Sequence, residues 1–308
     1  MIRLSAIKDV SLLTKRETLK LGFIGFGEVG HEMSSGFKKE GLTGIVAYDI
    51  LQDDEKYGAL VRGRAEETGV QLLSNWSEVV KYATVIIAAV QGSNAFSAAL
   101  EAVKAMDSTK IYVDVSTSSP KTKKKINEIV QKTEGRFVDG AMMSMLITTQ
   151  HKVPTLLSGN GSDSFMSIMA PYNMKLTKIS DEPGDAIAIK LVRSIYMKGM
   201  SALAVEMLET ASKLQVERRV LDSVSETLNA GPFEEVMNFL VTAGSVHAQR
   251  QAHEMEDVRS MMEELEIEPT MTKATAERLH WLASKNIKGK FQGKRPERWE
   301  QVIKSLSE

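Results

Sequence analysis

The chain has 308 residues, of which 43% are hydrophobic and 26% charged, and its formal net charge is −1. These values suit a soluble globular protein with room for two domains, and they exclude a global basic field for nucleic acid or an anionic membrane. The absence of cysteine excludes disulfides, thiolate nucleophiles and cysteine-based zinc sites, and no apolar run approaches the roughly 18 residues of a membrane span.

Residues 1–19 mix basic and acidic side chains without an apolar core and read as an N-terminal arm. Leu21, Phe23 and Ile24 then predict a strand that runs into Gly25, Gly27 and Gly30, the spacing G-x-G-x-x-G. In a strand–turn–helix unit the first glycine permits the tight turn and the second lets the backbone approach a pyrophosphate. The third allows close helix packing, while the helix N-terminus offers amide donors. The helix continues through Ser34, Phe37 and Glu40 and stops at Gly41. A second strand, Ile45 to Tyr48, ends at Asp49, roughly 20 residues after the first glycine, where such units carry an acid for the ribose. On this reading Gly25, Phe26, Gly27, Glu28, Val29 and Gly30 hold a dinucleotide and Asp49 its adenosine ribose. A carboxylate there repels a 2′-phosphate, which favours NAD over NADP.

Gln52 to Glu67 predicts a helix, Val70 to Leu73 a short strand, and Ser74 or Asn75 a cap for a helix ending at Tyr82. The apolar run Thr84 to Val90 predicts a parallel strand buried on both faces. Val90, Gln91 and the turn after them, with Phe96, are placed beside the cofactor, and Ser93 or Asn94 caps a helix reaching Met106. Ile111 to Val115 predicts the next strand. Ser118 or Ser119 caps a helix opened by Pro120, whose lysines 121, 123, 124 and 125 read as a solvated face. Strands near 137–139, 155–158 and 175–179 complete an α/β doubly wound, Rossmann-type domain over residues 20–181.

From Pro183 strand signals vanish. Helices are expected at 183–214, 216–229, 232–264, 270–284 and 295–306, giving an all-helical domain over 182–308 for substrate binding and dimerisation. His247 and His253 would face different sides of one helix, so no metal site is expected. Arg250, His253 and Asp257 share a face and read as a surface ion-pair row.

Three further segments carry chemistry. Asp114-Val-Ser-Thr-Ser-Ser-Pro120 and Asp139-Gly-Ala-Met-Met-Ser144 each follow a strand at the sheet edge where ligands bind. Lys190 stands among Ala186, Ile187, Ile189, Leu191 and Val192, with Arg193 and Ser194 one turn on. A lysine on a mostly buried helix needs a partner or a role, and desolvation would favour its neutral form.

These segments, in this order, resemble the β-hydroxyacid dehydrogenase family, which includes 3-hydroxyisobutyrate and 6-phosphogluconate dehydrogenases. More narrowly, the chain resembles a sparsely characterised phosphogluconate-dehydrogenase-like branch. Gly22 to Gly30 resembles its nucleotide motif, and Asp114 to Pro120 its D-x-S-T-x-x-P substrate motif. Asp139 to Ser144 falls where the family has D-A-P-V-S-G-G, and Gly184 to Ser194 where it has G-x-G-x-x-x-K-x-x-x-N. The resemblance implies that Lys190 is the catalytic acid–base and that Ser116, Thr117, Ser144, Arg193 and Ser194 bind substrate, with Ser116 also near the nicotinamide. The chain departs from the pattern at Met142-Met143, Met145-Leu146, Ala186 and Ser194, and the methionine-rich loop points to a substrate with an apolar or aromatic group. The implied function is cytoplasmic, NAD-dependent oxidation of a 3-hydroxyacid by a homodimer or higher homo-oligomer, with no nucleic-acid or membrane partner. Oxidative decarboxylation, an NAD(H)-binding sensor and imine reduction are the alternatives.

Overall fold

The computed structural model describes residues 19–307, so the arm read at 1–19 falls outside the described residues except for Leu19. The chain divides into two compact units, the first ending at Arg193 and the second beginning at Ser194. The division lies inside a long helix, not at 181/182 ahead of it. The reason is local: Ala186 and Ile187 in the first turn of that helix are fully buried with Ala141 of the sheet.

The first unit is one sheet of eight strands: β1 (Leu21–Ile24), β2 (Ile45–Tyr48), β3 (Gln71–Leu72), β4 (Val85–Ala88), β5 (Ile111–Asp114), β6 (Arg136–Met142), β7 (Thr155–Ser158) and β8 (Leu176–Ser180). Their order is 3-2-1-4-5-6-7-8, and β1 to β6 run parallel. This is the doubly wound Rossmann arrangement, and its order reverses between β1 and β4. The C-terminal ends of those strands therefore frame a crevice. β7 turns antiparallel to β6, and β8 is parallel to β7. A parallel return needs a full crossover, usually a helix, whereas the connection from β6 to β7 contains only single turns of helix.

Helices α1 (Glu28–Lys39), α2 (Gly58–Thr68), α3 (Trp76–Tyr82), α4 (Ala95–Ala102), α5 (Pro120–Gln131), α6 (Leu146–Thr149) and α7 (Ser162–Met169) link the strands. Alternation along β1 and β4 sends Leu21, Phe23, Val85 and Ile87 into one apolar cluster. Ile24, Ile86 and Ala88 enter the cluster on the other face. Each of the larger side chains contributes roughly 1.5–3 kcal/mol on burial, which explains why both faces need helical cover. Asn75 caps α3 by accepting the Glu78 N–H at 3.1 Å, and Ser119 caps α5 by accepting the Thr122 N–H at 3.2 Å. The helix expected from Gln52 starts only at Gly58, because Asp54 Oδ1 takes the amides of Lys56 and Tyr57 and holds a turn there.

Helix α8 (Asp185–Leu214) is 30 residues long. The second unit continues from it through α9 (Glu217–Leu228), α10 (Phe233–Val246), α11 (Ala248–Glu264), α12 (Thr270–Ser284), α13 (Ile287–Lys290) and α14 (Trp299–Leu306). The single helix expected over 232–264 breaks at His247. Ahead of the break, the Thr242 and Ser245 hydroxyls bond back to the carbonyls of Asn238 and Thr242, which weakens the helix. Within this unit Glu206 receives the amides of Met271 and Thr272, at 2.7 and 2.8 Å, and caps α12.

Candidate active site at the carboxyl ends of the strands

The glycine loop after β1 has the mechanics its spacing implies. Gly25 adopts φ +86°, and a Cβ there would lie 2.6 Å from the Ala89 carbonyl oxygen. Gly27 is the N-cap of α1 with no side-chain cap, and a Cβ added to it would meet nothing within 4 Å. The amides that follow it at the start of α1 have no intrahelical acceptor. At Gly30 a Cβ would come within 2.9 Å of the Gly25 carbonyl oxygen, so the third glycine is required by its own loop. The Phe26 ring is fully buried, leaving its backbone to serve the loop.

Asp49, at the end of β2, does more than was read from sequence. Its Oδ2 accepts the Phe26 N–H at 2.7 Å and its Oδ1 accepts the Leu51 N–H at 2.8 Å. The carboxylate braces the glycine loop from the neighbouring strand, and its remaining lone pairs are what a ribose would use. Tyr48 beside it is held above the usual phenol value by burial and by the charges of Asp53 and Asp49.

A cavity of about 580 Å³ opens next to the loop, and residues of the first unit line it. Of the residues singled out from sequence, Glu28, Val29, Val90, Ser116, Thr117, Ser144, Lys190 and Arg193 meet there. Its remaining wall is largely Met142, Met143, Met145, Leu146 and Ile147. Gln91 is exposed and caps the turn Gly92–Asn94, outside the cavity lining. Phe96 packs against the helix-side core beneath that turn. Ser194 opens the second unit, on the same helix as Lys190.

Lys190 Nζ donates to Thr117 Oγ1 at 3.2 Å, joining the two segments that carry the chemistry. The expectation of a mostly buried helix around Lys190 is corrected. Only Ala186 and Ile187 are fully buried, whereas Ile189 is 40% and Val192 67% exposed. The helix docks by its first turn, and Lys190 stands half-buried where that turn leaves the sheet. Ser116 Oγ is buried and has no hydrogen-bond partner among the described residues. An orphaned hydroxyl on a cavity wall is a ready partner for a bound polar group.

The lysines of α5 are not uniformly a solvated face. Lys123 is fully buried, with its ammonium 3.0 Å from Asp114 Oδ2 and 3.2 Å from Asp139 Oδ1. Sequence reasoning passed over it because the run of lysines hid the stripe Lys123, Ile126, Val130, which is the buried side of α5. In the second unit Arg250 pairs with Glu254, and His253 Nδ1 lies 3.2 Å from Glu256 Oε2. His280 of α12 reaches the same carboxylate at 2.7 Å, so the pairing extends between helices rather than running along one face to Asp257.

The glycine loop, the open Gly27 and the unpartnered Ser116 hydroxyl on the cavity wall fit a bound dinucleotide. The comparisons agree with this class. Residues 20–143 match the NAD-binding domain of 6-phosphogluconate dehydrogenase, and residues 211–282 match a domain of unknown function, DUF1932. A solved conserved protein of unknown function, described as structurally similar to 3-hydroxyacid dehydrogenases, is 31% identical with a TM-score of 0.57. That match covers 90% of this chain and 100% of that one. Mouse mitochondrial 3-hydroxyisobutyrate dehydrogenase is 26% identical over 53% of this chain and 46% of its own, so the match spans under half of that relative. An imine reductase from Myxococcus stipitatus, solved with NADP+, shares the fold at 15% identity and TM-score 0.69, over 93% of this chain and 99% of its own. A variant of it is solved with NAD+. The chain belongs to the β-hydroxyacid dehydrogenase family, in a branch that joins the phosphogluconate-dehydrogenase-type nucleotide domain to a helical domain of unknown function. The family is NAD-binding and hydroxyacid-dehydrogenase-like. Among the described residues no helix is long and apolar enough to cross a membrane.

Proposed function

We propose that this protein oxidises a 3-hydroxyacid with NAD, and that Lys190 is the general acid–base. The observation that carries the reading is the Lys190–Thr117 contact at 3.2 Å, set in the same cavity as the unpartnered Ser116 hydroxyl. Bound NAD supplies the hydride acceptor. Neutral Lys190 takes the proton of the substrate hydroxyl as the carbon–hydrogen bond breaks, and returns it in the reverse direction. Thr117 holds the amine towards the substrate hydroxyl, and Ser116 and Ser144 orient the carboxylate, with the Arg193 charge at the cavity wall. Ser194, one turn beyond Lys190, completes the proposed substrate set. A protein that only sensed NAD would need neither the lysine nor its hydroxyl partner.

Asp49 supports NAD over NADP, because a 2′-phosphate would approach a carboxylate that already holds the loop. The methionine-rich wall supports a substrate with an apolar or aromatic arm, since a polyhydroxy acid would leave hydroxyls unpaired against it at a cost of about 1–3 kcal/mol each. The second unit supports a homodimer. Leu203, Leu214, Leu221 and Leu228 are 43–44% exposed, and they line an apolar cavity of about 850 Å³. We place the enzyme in the cytoplasm, in keeping with a sequence without cysteine.

The test is NADH formation against a panel of 3-hydroxyacids graded from small and polar to aromatic, with Lys190→Ala alongside. Turnover that vanishes in the variant while NADH binding persists is the expected result. A variant that keeps near-normal turnover would remove Lys190 from the mechanism, and carbon dioxide among the products would assign the reaction to oxidative decarboxylation.

A further inference from the structure

Three charged side chains lie under the site with no solvent exposure: Asp114, Lys123 and Asp139. Asp114 and Asp139 are register partners on the adjacent parallel strands β5 and β6, so their carboxylates repel across one strand spacing unless a cation separates them. Lys123 is that cation. Its ammonium reaches Asp114 Oδ2 at 3.0 Å and Asp139 Oδ1 at 3.2 Å, and donates to the Asp114 carbonyl at 2.7 Å. The two carboxylate contacts are ion pairs, and the Asp114 carbonyl takes the hydrogen bond.

Each carboxylate then holds a different part of the site. Asp114 Oδ1 accepts the Ser116 N–H at 2.9 Å, which sets the hydroxyl segment. Asp139 Oδ2 accepts the Ile187 N–H at 3.0 Å and the Ser158 hydroxyl at 3.3 Å. Ser158 Oγ in turn accepts the Ala186 N–H at 3.1 Å. Asp139 thus caps the first turn of α8, one turn before Lys190. A buried ion cluster is generally no more stabilising than apolar residues of the same volume. What charge adds here is direction, because each carboxylate has one oxygen on the lysine and one on a catalytic segment.

We infer that Lys123 is a positioning residue that holds the Ser116–Thr117 segment and the Lys190 helix in register through Asp114 and Asp139. The inference rests on the role proposed for Lys190, but its test does not require the substrate. The full chain is labelled with trace acetic anhydride across a pH series, and acetylation of Lys190 is read by mass spectrometry against exposed Lys121. Lys123→Met is compared with wild type after circular dichroism confirms folding, and NADH affinity is titrated in parallel. The expected result is a displaced pH midpoint and rate for Lys190, with NADH still bound and its affinity falling by much less than turnover. Turnover on the best acid of the panel falls about 100-fold, as a misplacement of about 1 Å can produce. An unchanged Lys190 profile in folded Lys123→Met overturns the inference. Should that variant fail to fold, Ser158→Ala cuts the Asp139–Ser158–Ala186 link while leaving the charges balanced, and an unchanged profile there is equally fatal. If wild type turns over no acid, the proposed function fails while the labelling arm still decides the role of Lys123.

Discussion

Two alanine substitutions in one loop separate folding from cofactor binding. Gly25→Ala places a Cβ at φ +86°, 2.6 Å from the Ala89 carbonyl oxygen and 2.9 Å from Val90 Cγ1. The left-handed backbone costs roughly 1–2 kcal/mol and the overpacking about 1–3 more, so Tm should fall by about 5–15 °C. Gly27→Ala is the opposite case. Its φ of −73° suits any residue, and the added Cβ meets nothing within 4 Å, so the apo protein should melt as wild type does. On the proposed binding mode, that Cβ fills the space through which a pyrophosphate reaches the α1 amides. Losing one or two charge-assisted hydrogen bonds, at about 1.5–3 kcal/mol each, weakens NADH by roughly 10-fold to 10⁴-fold. Differential scanning calorimetry of the apo forms and fluorescence titration with NADH read the two effects separately. Wild-type NADH affinity in Gly27→Ala would refute the placement of the pyrophosphate at the start of α1. Unchanged stability in Gly25→Ala would refute the strain argument.

Asp49→Ala removes both the repulsion of a 2′-phosphate and the brace on Phe26 N–H, so NADH should bind more weakly and the preference against NADPH should relax. Unchanged discrimination between the two would take Asp49 out of the ribose site. Stability should fall as pH drops through and below the ordinary imidazole value of about 6.5. His151 is buried against Phe37 with Nε2 2.8 Å from the Tyr172 carbonyl, and burial lowers its pKa. The unfolded chain therefore binds the proton first, and the folding contribution present above that value is lost on acidification. His151→Gln keeps a donor but does not titrate, so its urea-unfolding stability should show a flatter pH dependence across that window. Leu203→Glu with Leu221→Glu should shift the protein towards monomer in sedimentation velocity, and an unaltered distribution would count against a dimer through the helical unit.

Local pattern carried much of this protein. The apolar strands ending in Gly25, Asp49, Val90 and Asp114 were legible because a parallel sheet buried on both faces imposes continuous apolar runs, and its ligand crevice falls where those runs stop. Caps such as Asn75 and Ser119 were legible for the same reason, since a single side chain and the next turn decide them. The sequence by itself thus determined the doubly wound class, the glycine loop and the segments that line the cavity, while the strand order and the antiparallel β7 came with the tertiary structure. Tertiary structure alone decided which side chains are paired. Asp114 and Asp139 become neighbours only through strand register, and Lys123 becomes their counter-ion only because α5 turns that one lysine inward. Lys190 looked buried from its neighbours, yet α8 docks by its first turn only, and this exposes Ile189 and Val192 while leaving the amine half-buried beside Thr117. A charge in a linear sequence has no depth; its partner and its dielectric surroundings exist only once strands and helices have met.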